Sequence, residues 1–544
     1  MRLIRNIFSI IFLLAQTSLA QQTPGNLSLG GTVVNSVTGE PVKRVLVRLQ
    51  GFRTDSEAGI QTPTIFTDNG GRFMFSSLPQ GDYTVVVQKP GFSQDFRMSS
   101  QNIHLADSRD QIQLRLAPLA TITGKVLDQD KLPVRSLTVV ALTERVIGGR
   151  AQRFEGSSAT TDDRGVYRLS SLNPGDYVIK VTGRTGATSL YAGDSTPLIG
   201  LDEEGFRPVY SGGAQKLVSA LPIHVDSGSE AHSDLTVAFE RAFRIRGSLT
   251  KQVPRQTVSF ELLTPGEYAS PARVTLNGDT GKFEISDVVP GSYILRATQG
   301  GTRGEVPVNI THGDVDGLFL PLAAPVDIKV ITHFANLPPK QEGLSDLATQ
   351  MGIVANCMVS LRPTGNTSLR DRDLSSNRNV NGNETLIGGV FPGTYRVETQ
   401  CFGAYPKTVL SGNNDLLVNP ILTLAQEMEP APIEITALHG GGDIHGTFPE
   451  KSVSDADQPW VIAAPRSGPP FATPAFRSDT ENGHGDFNFV LPNLAPGDYA
   501  VWVVAKGQTT PFREPSFLQS LSPGSSVRVD DNSKNLITLT EVVK

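Results

Sequence analysis

Leu78-Pro79-Gln80-Gly81-Asp82-Tyr83 is the first of five copies of a Pro-Gly-x-Tyr turn in this chain. The other copies end at Tyr177, Tyr293, Tyr395 and Tyr499, so they recur at intervals of roughly 100 residues, which is the length of a small domain. A turn that recurs at this spacing predicts an array of similar modules. Proline presets φ at the first corner of a type II turn, and glycine takes the positive φ at the second.

The residues that follow each turn alternate with a period of two, as in a strand with one buried face. Tyr499, Val501 and Val503 lie on one face, and the same face is mostly apolar in the other copies, which predicts that it lines a core. The opposite face varies at the position three residues after each tyrosine, which is occupied by Val86, Lys180, Arg296, Glu398 and Trp502. This variation predicts a face in contact with water or with an interface.

The composition indicates a globular protein made of strands and turns. The 544 residues include 53 glycines and 37 prolines without low-complexity runs, which is typical of an all-β protein with many turns. The formal net charge is −6 and no run of Lys or Arg is present, which argues against nucleic acid or an anionic membrane as a partner. Short strands between turns predict antiparallel β-sandwiches.

Residues 1–20 have the features of a secretory signal peptide. Arg2 and Arg5 are followed by an apolar segment, residues 7–15, and by the small-residue cleavage site Ser18-Leu19-Ala20. The apolar segment is shorter than the ~20 residues of a membrane-spanning helix, and no later segment of the mature chain is predicted to span a membrane. We expect cleavage after Ala20 and a secreted, periplasmic or cell-surface location.

The turn signals divide the mature chain into five predicted modules. Their predicted bounds are 21–118, 119–242, 243–323, 324–428 and 429–544. The connections between them are short, which predicts that neighbouring modules pack end to end in a semi-rigid rod. Within the first module, Asp68-Asn69-Gly70-Gly71 predicts a hairpin between the strands on either side of it.

The first module combines its tyrosine turn with Gly31-Thr32-Val33, Thr38-Gly39-Glu40-Pro41 and Val45-x-Val47-x-Leu49. Together these motifs resemble a carboxypeptidase regulatory-like domain, and the mature chain is similar to tandem secreted proteins of this type from acidobacteria. The second module matches well, the third and fifth match in part, and the fourth matches weakly. The resemblance implies a prealbumin-like or carbohydrate-binding-like sandwich with Ig-like architecture. It does not fix the function, because the domain is an accessory in peptidases, transporters and surface proteins.

The sequence lacks the signatures of common hydrolases. It contains no His-x-x-Glu or His-Glu-x-x-His metal motif and no Gly-x-Ser-x-Gly elbow, so we expect no enzymatic activity and no cofactor. His439, Asp443 and His445, with His484 and Asp486, could share a metal ion. Solvated loop residues explain this pattern more simply, and we expect no metal site.

Cys357 and Cys401 are the only cysteines, and both lie at predicted strand ends in the fourth module. A disulfide across the module and a pair of buried thiols both fit this placement, because sequence alone does not fix the distance between the two Cα atoms.

Trp502 is the residue on which a binding site is predicted. It points away from the core, and an indole left in water offers a surface on which a sugar ring can stack. Trp460 is the second candidate for this platform, and packing of Trp502 under a loop or against the fourth module is the alternative. We therefore expect a non-catalytic secreted or cell-envelope protein that binds carbohydrate or polysaccharide. The alternative is a protein–protein scaffold or adhesion rod of the envelope.

Overall fold

The structure is a computed structural model. It describes residues 27–52, 63–93, 100–147, 149–182, 189–190, 204–264, 267–269, 273–335, 356–364, 373–376, 378–381, 383–426, 428–449, 459–466, 473–475, 477–478, 486–505 and 510–543. The expected signal peptide and its cleavage site lie outside these residues. None of the helices among them has the length and apolar character of a bilayer-spanning segment.

The chain forms two compact units. The first comprises the chain up to Thr121 with Ser170–Gly175 and Val225–Glu230, and the second comprises the rest. The predicted all-β sandwich class is confirmed, because the described residues form mainly antiparallel sheets. Five of these sheets each contain the strand that follows one of the tyrosine turns. We use the names first to fifth region for the strands grouped around each turn, in chain order.

The first region contains two sheets, with orders β4-β1-β7 and β3-β2-β5-β6. Its strands are β1 (Leu27–Asn35), β2 (Leu46–Phe52), β3 (Thr64–Phe66), β4 (Arg72–Leu78), β5 (Gly81–Gln88), β6 (Ser100–Leu105) and β7 (Arg109–Leu116).

The second region contains the sheets β11-β8-β17, with β18 also on β8, and β10-β9-β12-β15, with β16 also on β12. Its strands are β8 (Ala120–Leu127), β9 (Thr138–Ile147), β10 (Arg150–Thr160), β11 (Val166–Leu172), β12 (Gly175–Thr182), β13 (Ser189–Leu190), β14 (Glu204–Gly205), β15 (Val209–Tyr210), β16 (Ile223–Val225), β17 (Glu230–His232), β18 (Leu235–Thr236) and β19 (Glu240–Arg241). Strands β14 and β19 pair with each other, and two 3-10 turns lie at Ser211–Gly213 and Leu217–Ser219.

The third region contains the sheets β23-β24-β20-β27 and β13-β21-β25-β26, with β22 also on β21. Its strands are β20 (Phe243–Thr250), β21 (Val258–Thr264), β22 (Glu267–Ala269), β23 (Arg273–Leu276), β24 (Lys282–Val288), β25 (Gly291–Gln299), β26 (Thr302–Ile310) and β27 (Val315–Pro321).

The fourth region contains the sheets β31-β32-β28-β37-β34-β35 and β30-β29-β33-β36. Its strands are β28 (Val326–Ala335), β29 (Asn356–Pro363), β30 (Leu374–Ser375), β31 (Arg378–Asn381), β32 (Glu384–Val390), β33 (Gly393–Phe402), β34 (Tyr405–Ser411), β35 (Asn414–Asp415), β36 (Ile421–Leu424) and β37 (Ile433–Leu438).

The fifth region contains the sheets β41-β42-β38-β45 and β40-β39-β43-β44, with β46 also on β43. Its elements are β38 (Gly442–Pro449), β39 (Trp460–Pro465), β40 (Thr473–Ala475), β41 (Arg477–Ser478), β42 (Asp486–Leu494), β43 (Gly497–Val504), the helix α1 (Pro515–Ser520), β44 (Ser525–Val529), β45 (Lys534–Thr538) and β46 (Val542–Val543).

The opening strand has the same neighbours in every region. It lies beside the strand that precedes the tyrosine turn and pairs in parallel with a strand near the end of the region. In the fourth region this late strand is β37, which the sequence analysis assigned to the start of the fifth module. The boundary predicted at residue 428 therefore moves past Leu438, and the division into five modules remains our proposal.

The five tyrosines occupy equivalent places beside the cores. Tyr83, Tyr177, Tyr395 and Tyr499 are buried, and Tyr293 is partly buried against the core of its region. In four copies the phenol donates to the backbone carbonyl four residues earlier, at 2.8–3.0 Å. The predicted core face is confirmed, and each of these bonds satisfies a hydroxyl that would otherwise be costly to bury.

The glycine of the turn has a different conformation from the predicted one. Its φ is +143° to +159° in four copies, whereas the glycine corner of a type II turn has a φ near +80°, so the expected turn type is wrong. The residue with a left-handed φ lies six positions before each tyrosine, and it is Ser77, Ser171, Asp287, Gly389 or Asn493. In four regions the opening strand shifts register opposite this residue, as at a β-bulge.

The hairpin predicted at Asp68 is wrong, because β3 pairs with β2 whereas β4 pairs with β1 in the other sheet. The turn itself forms as expected, since the Asp68 carboxylate accepts from the amides of Gly70 and Arg72 at 2.8 Å. Buried Thr67 holds the crossing, because its hydroxyl accepts from the Val45 amide and donates to the carbonyl of Val42.

Candidate interaction surfaces

The position three residues after each tyrosine is buried or nearly so in all five regions, which contradicts a face open to water and fits the other alternative, a face at an interface. Val86, Lys180, Arg296 and Trp502 are 7%, 4%, 6% and 9% exposed, and the Glu398 side chain is 15% exposed. Each side chain points away from the tyrosine core, as the alternation predicts, but the open surface does not exist. Other parts of the chain cover this side chain in the fourth and fifth regions, whereas Lys180 and Arg296 contact residues directly opposite them on flanking strands of their own sheets.

Trp502 is enclosed by a second, outer apolar cluster of the fifth region. This cluster includes Ile462, Val504, Phe512 and Leu518, the last of which lies on α1. The indole Nε1–H donates to the carbonyl of Ser522 at 2.8 Å. The indole is therefore packed under residues 512–522, as the alternative of packing under a loop expected, and it does not stand in water.

Trp460 lies in the same cluster but is only partly buried. It begins β39, directly opposite Val504, and its ring packs against Phe512 with ring centres 5.6 Å apart. The structure thus brings the two predicted tryptophans together, as neighbours in a packed cluster. Of the two, only Trp460 retains appreciable exposed surface.

Charged side chains occupy the equivalent position in the second and third regions. The Lys180 ammonium lies 5.8 Å from the ring centre of Tyr210, which is fully buried beside the two 3-10 turns. Arg296 lies between Glu305 at 2.7 Å and Glu261 at 3.5 Å. These cations are buried with a counter-charge or an aromatic face, as burial of a charge requires.

Glu398 takes this position in the fourth region, where it forms an ion pair with Arg150 of the second region. Arg150 is 6% exposed, and burial is the first cause that lowers its pKa to about 10, followed by the nearby Arg362. The second and fourth regions are therefore in contact, although they are not consecutive in the chain. The β9–β10 hairpin of the second region is long enough to reach beyond the adjacent region.

Cys357 and Cys401 lie directly opposite each other on β29 and β33 and form a disulfide. The bridge faces the core of the fourth region, since Cys357 belongs to its buried cluster and Cys401 packs against it. Glu398 lies on the same strand as Cys401, on the opposite face of the sheet.

The histidines considered for a metal site do not assemble one in the described residues, which contain no cluster of three or more potential metal ligands. Asp443 lies 3.7 Å from His445, and its carboxylate accepts from the amide of Asn493 at 3.0 Å. In the fourth region Asp327 accepts from Gly389 in the same way. Asp443 therefore satisfies the backbone at a bulge, and His484 lies outside the described residues.

The sequence did not lead us to predict a histidine–aspartate pair that occurs in two of the regions. His104 lies 2.6 Å from Asp82, and His224 lies 2.8 Å from Asp176, where each aspartate immediately precedes its tyrosine. All four side chains are at least 62% exposed, so these pairs contribute little to stability. The signal was present, because each histidine lies on the strand that pairs beside the tyrosine strand, but the register was not predictable.

The first region is the part of the chain that matches a known family model. Residues 28–114 match the family model for the carboxypeptidase regulatory-like domain. Colossin-A of Dictyostelium discoideum is 33% identical over an alignment of 141 residues, which covers 23% of this chain and only 1% of that protein.

Two solved structures illustrate the structural similarity. The minor pilin GBS52 of Streptococcus agalactiae is 14% identical, with 42% of this chain and 99% of the pilin covered and a TM-score of 0.24. The shaft pilin SpaA of Lactobacillus rhamnosus GG is 11% identical, with 40% and 98% covered and a TM-score of 0.21. The resemblance inferred from the motifs around Tyr83 is confirmed by the family match, which identifies a carboxypeptidase regulatory-like domain at residues 28–114.

Proposed function

We propose that this protein is a non-catalytic scaffold of the cell envelope or cell surface that works through protein–protein contacts. The observation that carries the proposal is the burial of the position three residues after each tyrosine in all five regions. In the fourth and fifth regions, sheet faces that could have served as ligand platforms are covered by other parts of the chain. Such use of the outer faces suits a structural protein better than a binder of small ligands.

The disulfide of the fourth region supports a location outside the cytoplasm. Disulfides persist in oxidising surroundings outside the cytoplasm, and Cys357 and Cys401 form one here. The signal-peptide features of residues 1–20 agree with this location. We therefore place the mature chain in the periplasm, at the cell surface or in the medium.

The absence of catalysis is part of the proposal. The matched domain is a regulatory-like accessory, and the sequence offers no hydrolase signature. Turnover of a peptide, ester or glycoside by the purified chain, lost on a single substitution in it, would overturn this part.

Carbohydrate binding is the second candidate. The observation that favours it is Trp460, whose ring is partly exposed beside Phe512. A partly exposed indole can stack on a sugar ring. Trp502 no longer supports this function, because its ring is enclosed.

Co-sedimentation with envelope fractions separates the two candidates. One fraction is treated with protease to remove proteins and a second with periodate to oxidise glycans. Each treated fraction is then freed of its reagent and mixed with the mature chain. We expect retention to be lost after protease and kept after periodate. Retention lost after periodate, and weakened in the untreated fraction by Trp460→Ala, would establish the glycan function. No retention by the untreated fraction would overturn both candidates.

A further inference from the structure

The hairpin of β9 and β10 extends beyond its own sheet. Strand β12 pairs with β9 only from Thr138 to Leu142, whereas the hairpin continues to Ile147 and returns from Arg150. We call the described residues beyond Leu142, 143–147 and 149–154, the arm, and Gly149 with Arg150 its tip. In the arm, β9 forms its strand hydrogen bonds with β10.

The tip of the arm fits closely against the fifth region. The carbonyl of Gly149 accepts from the amide of Arg513 at 2.8 Å. Gly149 has a φ of +78°, and a Cβ atom there would lie 2.3 Å from the ring of buried Phe512. Glycine is thus required at position 149 for two reasons: its backbone conformation, and the close approach of the Phe512 ring.

Charges bind the tip to the fourth region. Arg150 pairs with Glu398, and their side chains are 7% and 15% exposed. The adjoining segment of the fifth region makes similar contacts, because Arg513 donates to Gln400 at 3.0 Å and Arg362 donates to Glu514 at 3.2 Å. The second, fourth and fifth regions therefore meet at one cluster of polar side chains, in which Arg150 and Glu398 are largely buried and Arg362 and Glu514 are partly buried.

Burial distinguishes this cluster from an incidental surface contact. Arg153 also lies in the arm, but it pairs within the hairpin with Glu144, and the two side chains are 39% and 54% exposed. Exposed pairs contribute little, whereas removal of one partner from a buried pair is strongly destabilising because the other charge remains buried. The arm therefore offers a junction residue and a matched control three positions apart.

We propose that the tip of the arm is an intramolecular latch that holds the second region to the fourth and fifth, with Gly149 and Arg150 as the residues that determine the fit. The latch concerns how the chain holds itself together and does not depend on the identity of any partner. When it is open, the polar outer face of β29 and β33 becomes an accessible surface.

Hydrogen exchange tests the latch at a defined atom, because the amide of Arg513 donates to Gly149. In the full mature chain, we expect Arg150→Ala to speed exchange at Arg513 by roughly 100-fold, as expected when a buried pair is broken. Arg153→Ala should leave this amide unchanged. Gln400→Ala removes the hydrogen bond that Gln400 accepts from the Arg513 side chain, and it should speed exchange at the Arg513 amide a few-fold. This variant keeps the test available if Arg150→Ala does not fold.

Gly149→Val should act like Arg150→Ala through the clash with Phe512. Gly39→Ala is its control for backbone strain, because Gly39 has a φ of +72° and nothing within 4 Å of an added Cβ. Exchange at Arg513 that is unchanged in both Gly149→Val and Gln400→Ala would overturn the latch. Exchange that rises equally in Arg153→Ala would overturn it as well.

Discussion

The fourth and fifth regions use the same position of the same strand in opposite ways. Glu398 and Trp502 both lie three residues after the tyrosine, on the outer face of the sheet. Apolar contacts with residues that follow it in the chain bury Trp502. Glu398 is instead buried by an ion pair with Arg150 of the second region. The repeated inner residues thus form a common sandwich, and the outer residue at this position differs together with the part of the chain that is packed against it.

The largest expected effect is the removal of the Trp502 ring. Trp502→Ala should lower the free energy of unfolding by about 3 to 5 kcal/mol, the typical loss on truncating a buried large aromatic residue. Trp460→Ala, in the same cluster but partly exposed, should cost less. Urea unfolding followed by circular dichroism measures both losses. A Trp502→Ala variant with the same unfolding midpoint as the wild type would mean that the Trp502 ring is not buried in the fifth region.

The fourth region should respond to reduction and the fifth should not. The disulfide closes a loop between residues 44 apart in sequence, so its loss should destabilise the fourth region by about 2 to 4 kcal/mol. Hydrogen exchange with and without a reductant, read separately over β33 and β43, measures this difference. The double variant Cys357→Ser, Cys401→Ser is the control and should be insensitive to the reductant. Equal effects in both regions would contradict the comparison.

Alkaline pH should weaken the fifth region through Tyr499. Burial raises the pKa of this phenol to about 12, whereas the unfolded value is about 10. The contribution is therefore complete below about pH 10 and is lost as pH rises towards about 12, with a total of about 2 to 3 kcal/mol.

Tyr499→Phe should remove that part of the alkaline loss, while costing about 1 kcal/mol at neutral pH through the lost bond to Ala495. Urea midpoints at about pH 8 and about pH 11, compared between wild type and variant, give the difference. A variant that loses as much stability as the wild type would contradict this role of Tyr499.

The smallest effect concerns the bulge before the turn, where the fourth region has Gly389 and the fifth has Asn493, both with a left-handed φ. Asn493→Gly should be neutral or stabilise by up to about 1 kcal/mol, and Gly389→Ala should destabilise by a similar amount, because only glycine adopts this φ without cost. Thermal unfolding of the two variants checks the signs. A stabilising Gly389→Ala would show that the bulge is absent.

The strand alternation after each tyrosine was enough to predict the sandwich class and the core face, since period and turn chemistry are local properties. The turn type was not predictable, because the left-handed residue is serine, aspartate or asparagine in four copies, and these residues also occur at many other positions of the chain. The fate of Trp502 and Glu398 depended on residues 20 and about 250 positions away, and no local pattern encodes such contacts. The same limit hid the pairing of β37 with β28.

Fluorescence of Trp502 tests the closed outer face most directly. In Trp460→Phe, Trp502 is the only remaining tryptophan. The closed face predicts blue-shifted emission, weak quenching by iodide, and no change when polysaccharides are added. Emission like that of indole in water, with strong iodide quenching in the folded protein, would contradict the central claim that these sheet faces are packed by the chain itself.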